Sequence, residues 1–487
     1  MPLKSISAMP RVAFLHVPRL ALAAVALASL AACANFSGIT PQAQMQPATV
    51  AGASDVAAVD AEWWHGFADP QLDRLVTQAL DGSPSLKLAQ ARLRRAQAAT
   101  DGARSATLPQ VGADVEGMRQ LYTANGLYPA PLGGGIYNSG TAQLTAGWEL
   151  DFFGKNRAAL DAALGQAKAA QADTQAARVL LVSQVARSYF QLLRLNGQLE
   201  LANRTLAQRS ELLSLVRDRV NAGLDTRLEL NQSQGSLPEA RQQIEALNEQ
   251  IALARNGLSA LVGQPNAADA LVLPALSAIK AAANAQAIPA DLLGRRADIA
   301  AARWRVAAAG ADVSSAKAQF YPDINLVGFA GFSSIGLGNL LHAGSEQWGI
   351  GPAIHLPIFD AGRLRAGLKV KTADLDAAVE SYNAALIDAV RDVADQLTSQ
   401  QSIVRQQTEQ RAAQQAAEAA YEIAVQRYSA GLGNYLNVLT SETAVLAQRR
   451  LQVDLAARAL DTQVALVRSL GGGYSASATE SIASSAY

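Results

Sequence analysis

Cysteine is almost absent from this 487-residue chain. The single thiol, Cys33, can close no disulfide within one copy, so stability has to come from a packed core. Histidine is nearly as scarce: His65, His342 and His355 are the only ones after Cys33. No two of them stand at a metal-ligand spacing. Met45 and Met118 are the only methionines in the same stretch, which disfavours a soft copper or silver site. Aromatics make up 5% of residues against 50% hydrophobic, so alanine and leucine carry the apolar content. That balance favours long helices packed through small side chains over aromatic-filled sandwiches. No charge of either sign dominates, since Lys+Arg and Asp+Glu number 41 each. Three basic residues and no acidic one precede Cys33, so the chain from there on carries three more carboxylates than cations. A nucleic-acid binder would show the opposite bias. The glycine run Gly133-Gly134-Gly135 lies in a loop before a strand, not between a strand and a helix, and is no phosphate cradle. Carboxylates are plentiful, but on amphipathic helices they form solvated faces. The expectation is a protein that is not an enzyme and holds no cofactor or metal.

Long hydrophobic runs are missing as well. Leu20 to Leu30 is too short to span a bilayer, which takes roughly 20 residues, and nothing after Cys33 is longer. With Lys4, Arg11 and Arg19 before it, this run reads as a signal-peptide core. Leu30-Ala31-Ala32-Cys33 resembles a bacterial lipobox, whose cysteine receives diacylglycerol, becomes residue one on cleavage and then takes an N-acyl chain. Ala34, where a retained lipoprotein would carry aspartate, points to the outer membrane. Several acyl chains hold firmly, at about 0.8 kcal/mol per buried methylene. Any further crossing of a membrane has to use β-strands.

What the chain does have is an internal repeat. Arg219-Val-Asn-Ala-Gly223-Leu-Asp-Thr-Arg-Leu228 aligns with Arg427-Tyr-Ser-Ala-Gly431-Leu-Gly-Asn-Tyr-Leu436 at an offset of 208, and Gly154-Lys155 aligns with Gly362-Arg363 at the same offset. Ala91-Arg92-Leu93-Arg94 matches Ala302-Arg303-Trp304-Arg305, and Leu108-Pro109 matches Tyr321-Pro322.

Each half follows one grammar. Ser83-Pro84 caps a helix that runs towards Thr107, and Pro109 ends it. Val111, Ala113 and Val115 then alternate with Gln110, Asp114 and Glu116. A Gly-rich stretch from Asn125 to Gly140 separates them from Leu144, Ala146, Trp148 and Leu150, which alternate with polar residues. In the second half, Ile324 to Phe332 and the run Trp348, Ile350, Ile354, Leu356 flank a loop at Ser333 to Gly344. Strands of about ten residues suit a membrane hairpin, and a soluble hairpin on a core would alternate in the same way. Lys155 to Asn221 and Arg363 to Ser429 contain no proline. Each spans 67 residues, or about 100 Å as a helix, with Gly197 as the one expected bend. They end at Ala-Gly-Leu turns, where Gly223 and Gly431 allow a left-handed reversal. Helices return over about Thr226 to Val262, with a kink or restart at Pro238, and over Tyr435 to Leu470. These segments alone would also suit a soluble coiled coil.

Taken together, the lipobox, Trp63-Trp64, Phe67-Ala-Asp69-Pro70, Leu72, the Ser83-Pro84 helix and the duplicated hairpin-plus-long-helix unit resemble a known family. It is that of the TolC-like outer-membrane efflux channel lipoproteins, the NodT/OprM-type outer membrane factors of resistance-nodulation-division tripartite pumps. Ile288 to Ile299 resembles the family's connector, with Ala297 where proline is usual. The division implied is a signal peptide (1–32), a lipidated segment (33–68), a first repeat (69–264), a connector or equatorial segment (265–297), a second repeat (298–474) and a tail (475–487). The fold class implied is mostly α with a membrane β part. Three copies would form a twelve-stranded β-barrel continued by a periplasmic α-helical barrel. The implied function is an outer-membrane conduit exporting drugs or other toxic small molecules. Metal-cation export and type I protein export are alternatives, as is a non-pore coiled-coil lipoprotein. Implied partners are two further copies, outer-membrane lipid, a periplasmic adaptor and an inner-membrane pump. By resemblance Tyr428 makes gating contacts at the periplasmic tip, while Gly433 and Thr440 stand where acidic residues often ring the entrance. Asp225, Glu229 and Glu442 remain as acidic gate candidates, with Arg219 and Arg427 as their cationic partners. Asp225 is equally suited to stabilising a helix N-terminus.

Overall fold

A computed structural model describes residues 36–47, 59–280 and 296–474. Cys33, the signal peptide, the tail and most of the Ile288–Ile299 connector lie outside the described residues. The described chain forms two units, one built around a sheet and one built of helices.

The helix expected from Ser83-Pro84 forms over Pro84–Ser105, with the Ser83 hydroxyl bonded to that of Ser85 at 2.9 Å. α1 (Pro70–Gly82) begins at Asp69, whose carboxylate accepts from Gln71 N–H at 2.9 Å, and α2 (Pro84–Ser105) follows directly. α1 was not foreseen; its signal is Asp69-Pro70, an N-cap with proline at the first helical position.

The sheet unit comprises residues 36–44, 95–167 and 304–380 of the described chain. Its strands β1 (Gln110–Leu121), β2 (Ile136–Glu149), β3 (Asp323–Ile335) and β4 (Glu346–His355) pair antiparallel in sequence order. Register sorts the side chains by face. One row runs Val111, Ala146, Gly328, Ile350, and the next runs Ala113, Leu144, Ala330, Trp348. This apolar face is uncovered: Val115 is 82% exposed and Trp348 78%. The opposite face is mostly polar, with Val327 and Phe329 as apolar members on β3. Thr145 donates to Asp114 at 3.0 Å, and Gln347 reaches across β3 to Gln143 at 2.9 Å. A Cβ on Gly331 would lie 2.4 Å from the Gln143 Cα, so only glycine fits beneath that crossing. Three of the four strands outrun the expected ten residues, at 12, 14 and 13, and β4 has ten. β2 starts inside the Gly-rich stretch because Tyr137 and Ser139 keep the alternation going there. At the foot of the sheet Lys155 bridges Glu149 at 2.6 Å and Asp323 at 2.9 Å. The leading segment docks here too: Phe36 meets Phe320 edge-on at 5.9 Å, and Ile39 is buried with Val313 and Leu368.

The helical unit takes residues 45–47, 59–94, 168–280, 296–303 and 381–474 of the described chain. α3 (Lys155–Asn221) and α6 (Arg363–Ser429) have the 67 residues expected of each, and both begin in the sheet unit. α4 (Arg227–Val262) and α7 (Tyr435–Ser469) return from the turns, and α5 (Ala297–Ala318) opens the second half. Neither Gly197 nor Pro238 ends its helix, so the restart at Pro238 does not occur. α3 runs through Gly197, whose missing side chain lets Val453 of α7 approach; a Cβ there would lie 3.2 Å from it. α4 runs through Pro238, which deprives it of one backbone bond without ending it. Ala297 is the first residue of α5, a position where proline and alanine both fit, so its departure from the family's usual residue costs little.

The core of this unit packs Trp63, Trp64, Phe67 and Leu72 on Tyr189, Phe190, Leu258 and Val464. Asp69, besides capping α1, accepts from the buried Tyr189 hydroxyl at 2.6 Å. Charged rungs join α3 to the antiparallel α7: Arg187–Asp461 at 2.5 Å, Arg194–Asp454 at 2.9 Å and Arg209–Glu442 at 3.0 Å. Residues 265–280 lie on α1 and α4, with Val272 N–H donating to Gln71 at 2.9 Å. Among the described residues no helix is long and apolar enough to cross a membrane.

Candidate functional site

Both long helices end in the same backbone device. Gly223 and Gly431 adopt φ of +72° and +75°, where a side chain would be strained. Gly223 N–H bonds the Val220 carbonyl at 3.0 Å and Leu224 N–H reaches Arg219 at 2.9 Å. Gly431 and Leu432 bond Tyr428 and Arg427 in the same way, at 3.1 and 2.8 Å. These paired bonds satisfy carbonyls the helix end would leave open. The returning helices are also capped alike. Thr226 Oγ1 accepts from Leu228 N–H at 3.1 Å, and Asn434, 208 residues later, accepts from Asn437 N–H at 3.0 Å.

On this common frame the side chains differ, and they gather one site. Arg219 Nε donates to Asp225 Oδ2 at 2.9 Å, and its Nη1 donates to the Tyr428 carbonyl at 2.9 Å. The guanidinium carbon sits 4.6 Å over the Tyr428 ring, a cation–π geometry. The Tyr428 hydroxyl in turn donates to Asp225 Oδ2. Asp225 thus accepts from one residue of its own turn and from one on α6. Tyr428 is fully buried against Leu212, Val216, Tyr435 and Val438.

Burial alone would raise the Asp225 pKa, but the hydrogen bonds from Arg219 and Tyr428 outweigh it and hold the carboxylate below its ordinary range. Burial and the neighbouring carboxylate push the Tyr428 phenol up, keeping it a protonated donor. The hydrogen bond to Asp225 raises Arg219, which stays charged. At neutral pH the cluster is an ion pair locked by a phenol.

Of the six gate candidates, the structure brings together Arg219, Asp225 and Tyr428. The other three stand elsewhere. Glu229 completes a capping box, its carboxylate accepting from Thr226 N–H at 2.9 Å. Arg427 donates to the Leu432 carbonyl at 3.3 Å and reaches no carboxylate among the described residues, because Gly433 occupies the position that Asp225 holds in the first turn. Glu442 lies two helical turns beyond Tyr435, away from the turns, and pairs with Arg209. Arg209 itself was missed. Its signal was its helical phase: it shares the spacing of Leu212 and Val216, as Glu442 shares that of Tyr435, Val438 and Val445, so each is a charge on an apolar stripe.

A family profile described as "Outer membrane efflux protein" matches residues 75–264 and 288–472. The chain is 39% identical over 362 residues to the fusaric acid resistance protein FusA of Burkholderia cepacia, covering 72% of this chain and 68% of the relative. It is 31% identical over 429 residues to the multidrug resistance outer membrane protein MdtQ of Escherichia coli O157:H7, covering 85% of this chain and 88% of that one. Among solved structures, the outer membrane protein VceC of Vibrio cholerae is similar with a TM-score of 0.81 at 36% identity, covering 85% of this chain and 99% of VceC.

Proposed function

The chain belongs to the outer membrane efflux protein family, and we propose that it works there as the passive outer-membrane conduit of a tripartite pump, carrying drugs or other toxic small molecules out of the periplasm. The observation that carries this reading is the sheet, with one uncovered apolar face, one mostly polar face and two free edges. Lipid tolerates no unpaired backbone edge. β1 of one copy therefore pairs with β4 of the next, and three copies close a barrel of twelve strands whose polar face lines a water-filled lumen. The long helices of three copies continue it as a helical barrel into the periplasm, and their turns form the closed tip. Resistance to fusaric acid in one relative and to multiple drugs in another supports a small-molecule cargo.

Passage through such a conduit requires no covalent step. It requires a barrier that can be withdrawn, and the Arg219–Asp225–Tyr428 cluster supplies one by tying the α3–α4 turn to α6. A periplasmic adaptor bound to an inner-membrane pump would pull these helices apart, breaking the two hydrogen bonds and the cation–π contact that join Tyr428 to the first turn, while Arg219 and Asp225 stay paired within that turn. Cys33 carries the acyl anchor. Phe36, the first described residue, meets Phe320 edge-on.

The test is electrophoretic and electrical. The purified protein should migrate as a heat-modifiable trimer and form channels in planar bilayers, with Asp225→Ala raising their open probability. Material that remains a monomer and conducts nothing would exclude the conduit.

A further inference from the structure

Ten residues before Arg219 on α3, about 15 Å along the helix, a second cation is enclosed among the helices. Arg209 is 15% exposed, and its Nε donates to Glu442 Oε1 on α7 at 3.0 Å; the Glu442 side chain is 4% exposed. Arg209 Nη1 also donates to the Ser236 carbonyl on α4 at 3.0 Å. One guanidinium therefore ties three helices. Glu239, 3.9 Å away, is 77% exposed and adds little. The Ser236 carbonyl lies two residues before Pro238, which cannot donate to the carbonyl of Gln234, so α4 bends most easily at this level. Between Arg209 and the tip cluster stands an apolar layer of Leu212, Val216 and Val438, which has no directional bonds to resist shear.

We infer that Arg209 and Glu442 are the fulcrum of tip opening: when the Arg219–Asp225–Tyr428 cluster breaks, the helix hairpins part below this ion pair and stay joined at and above it. The physical reason is asymmetry of environment. Residues 221–224 and 429–432, the turns beside the tip cluster, are exposed, so water can replace its bonds as the turns separate. Glu442 has no such access, so separating it from Arg209 would strand a buried carboxylate. Arg209 acts as a positioning residue, fixing where the lever begins and how far the tip can swing. This inference rests on the tip being a gate.

The experiment places spin labels on the full-length trimer at two exposed pairs five residues either side of the fulcrum: Ser214 with Asn437 below it, and Arg204 with Ala447 above it. Asp225→Ala should widen the lower distance by roughly one helical pitch, about 5 Å, and leave the upper one unchanged. Adding Glu442→Gln should widen the upper distance as well, and the exchange Arg209→Glu with Glu442→Arg should narrow it again. Arg209→Lys, which keeps the charge, provides a second variant if Glu442→Gln fails to assemble, and should give an intermediate upper distance. If Asp225→Ala alone widens both pairs, or the upper pair ignores both Glu442→Gln and Arg209→Lys, there is no fulcrum here although the gate stands. If Asp225→Ala moves neither pair, the gate falls and the fulcrum with it.

Discussion

The two turns of the molecule share a backbone and differ in chemistry. The α3–α4 and α6–α7 turns use the same glycine, the same pair of carbonyl bonds and a hydroxyl or amide cap at the same repeat position. Yet the first carries Asp225 where the second carries Gly433, and the second carries Tyr428 where the first carries Val220. Duplication supplied two equal frames, and two substitutions turned them into complementary halves of one cluster. The first turn provides the ion pair and the second the phenol that closes it. Neither turn could make this contact with a copy of itself.

The sharpest way to break the comparison is to remove what only the first turn has. Asp225→Ala leaves Arg219 buried without a carboxylate and Tyr428 without an acceptor. Both hydrogen bonds that join the first turn to α6 are thereby lost or loosened, each worth about 1.5–3 kcal/mol where one partner is charged, so the closed-to-open ratio should fall on the order of a hundredfold. Single-channel recording in planar bilayers reads this directly, and unchanged open probability would dissociate the cluster from gating. The second turn's contribution should be smaller. Tyr428→Phe keeps the ring beneath Arg219 and loses one hydrogen bond to a charged acceptor, worth about 1.5–3 kcal/mol. Its open probability should lie between wild type and Asp225→Ala. An effect equal to that of Asp225→Ala would mean that the phenol, not the ion pair, holds the tip.

How much of this was legible in the sequence depends on distance along the chain. The ends of α3 and α6 could be placed to the residue because proline-free runs are bounded by Gly-Lys or Gly-Arg at one end and Ala-Gly-Leu at the other. Alternation marked the strands, but β2 begins earlier than expected, because its first residues lie in the stretch whose glycines read as a loop. The tip cluster was half legible. Arg219 and Arg427 occupy one repeat position and looked interchangeable, although the residue six places on, Asp225 or Gly433, already distinguished them. Gly197 and Pro238 both lie inside continuous helices, Gly197 where Val453 of α7 approaches, so neither marked an element boundary. The Arg209–Glu442 pair spans 233 residues, so only its helical phase could have hinted at it.

The comparison can also be sharpened by making the turns more alike. Gly433→Asp would give Arg427 a carboxylate at the spacing that joins Arg219 to Asp225. Its backbone is not in the left-handed region, and a Cβ there meets nothing nearer than Arg427 Cβ at 3.4 Å. Because this turn is exposed, the new pair should be worth at most about 1 kcal/mol, lowering open probability severalfold at most. It should also place three carboxylates around the trimer's entrance and shift reversal potentials in a salt gradient towards cations. A reversal potential identical to wild type would show that Gly433 does not face the pathway.

Acidity should produce the smallest change across the physiological range, and its sign follows from the same cluster. Asp225 titrates below its ordinary 3.8 when the cluster is formed and returns towards that value when the turns separate, so the open state binds the proton more readily. Its contribution to closure is therefore complete above 3.8 and is lost as pH falls through the lower value. Tyr428 works in reverse. Its phenol is held above its ordinary 10.0, so its contribution is complete below 10.0 and is lost as pH rises through the raised value. Conductance of the closed channel should consequently be flat from about pH 5 to 9, rise below about pH 4 and rise again only in strong alkali. Asp225→Asn should abolish the acid limb while Tyr428→Phe abolishes the alkaline one, which assigns each limb to its own turn. A transition near pH 6 in the wild type would require a group outside this cluster to control the tip.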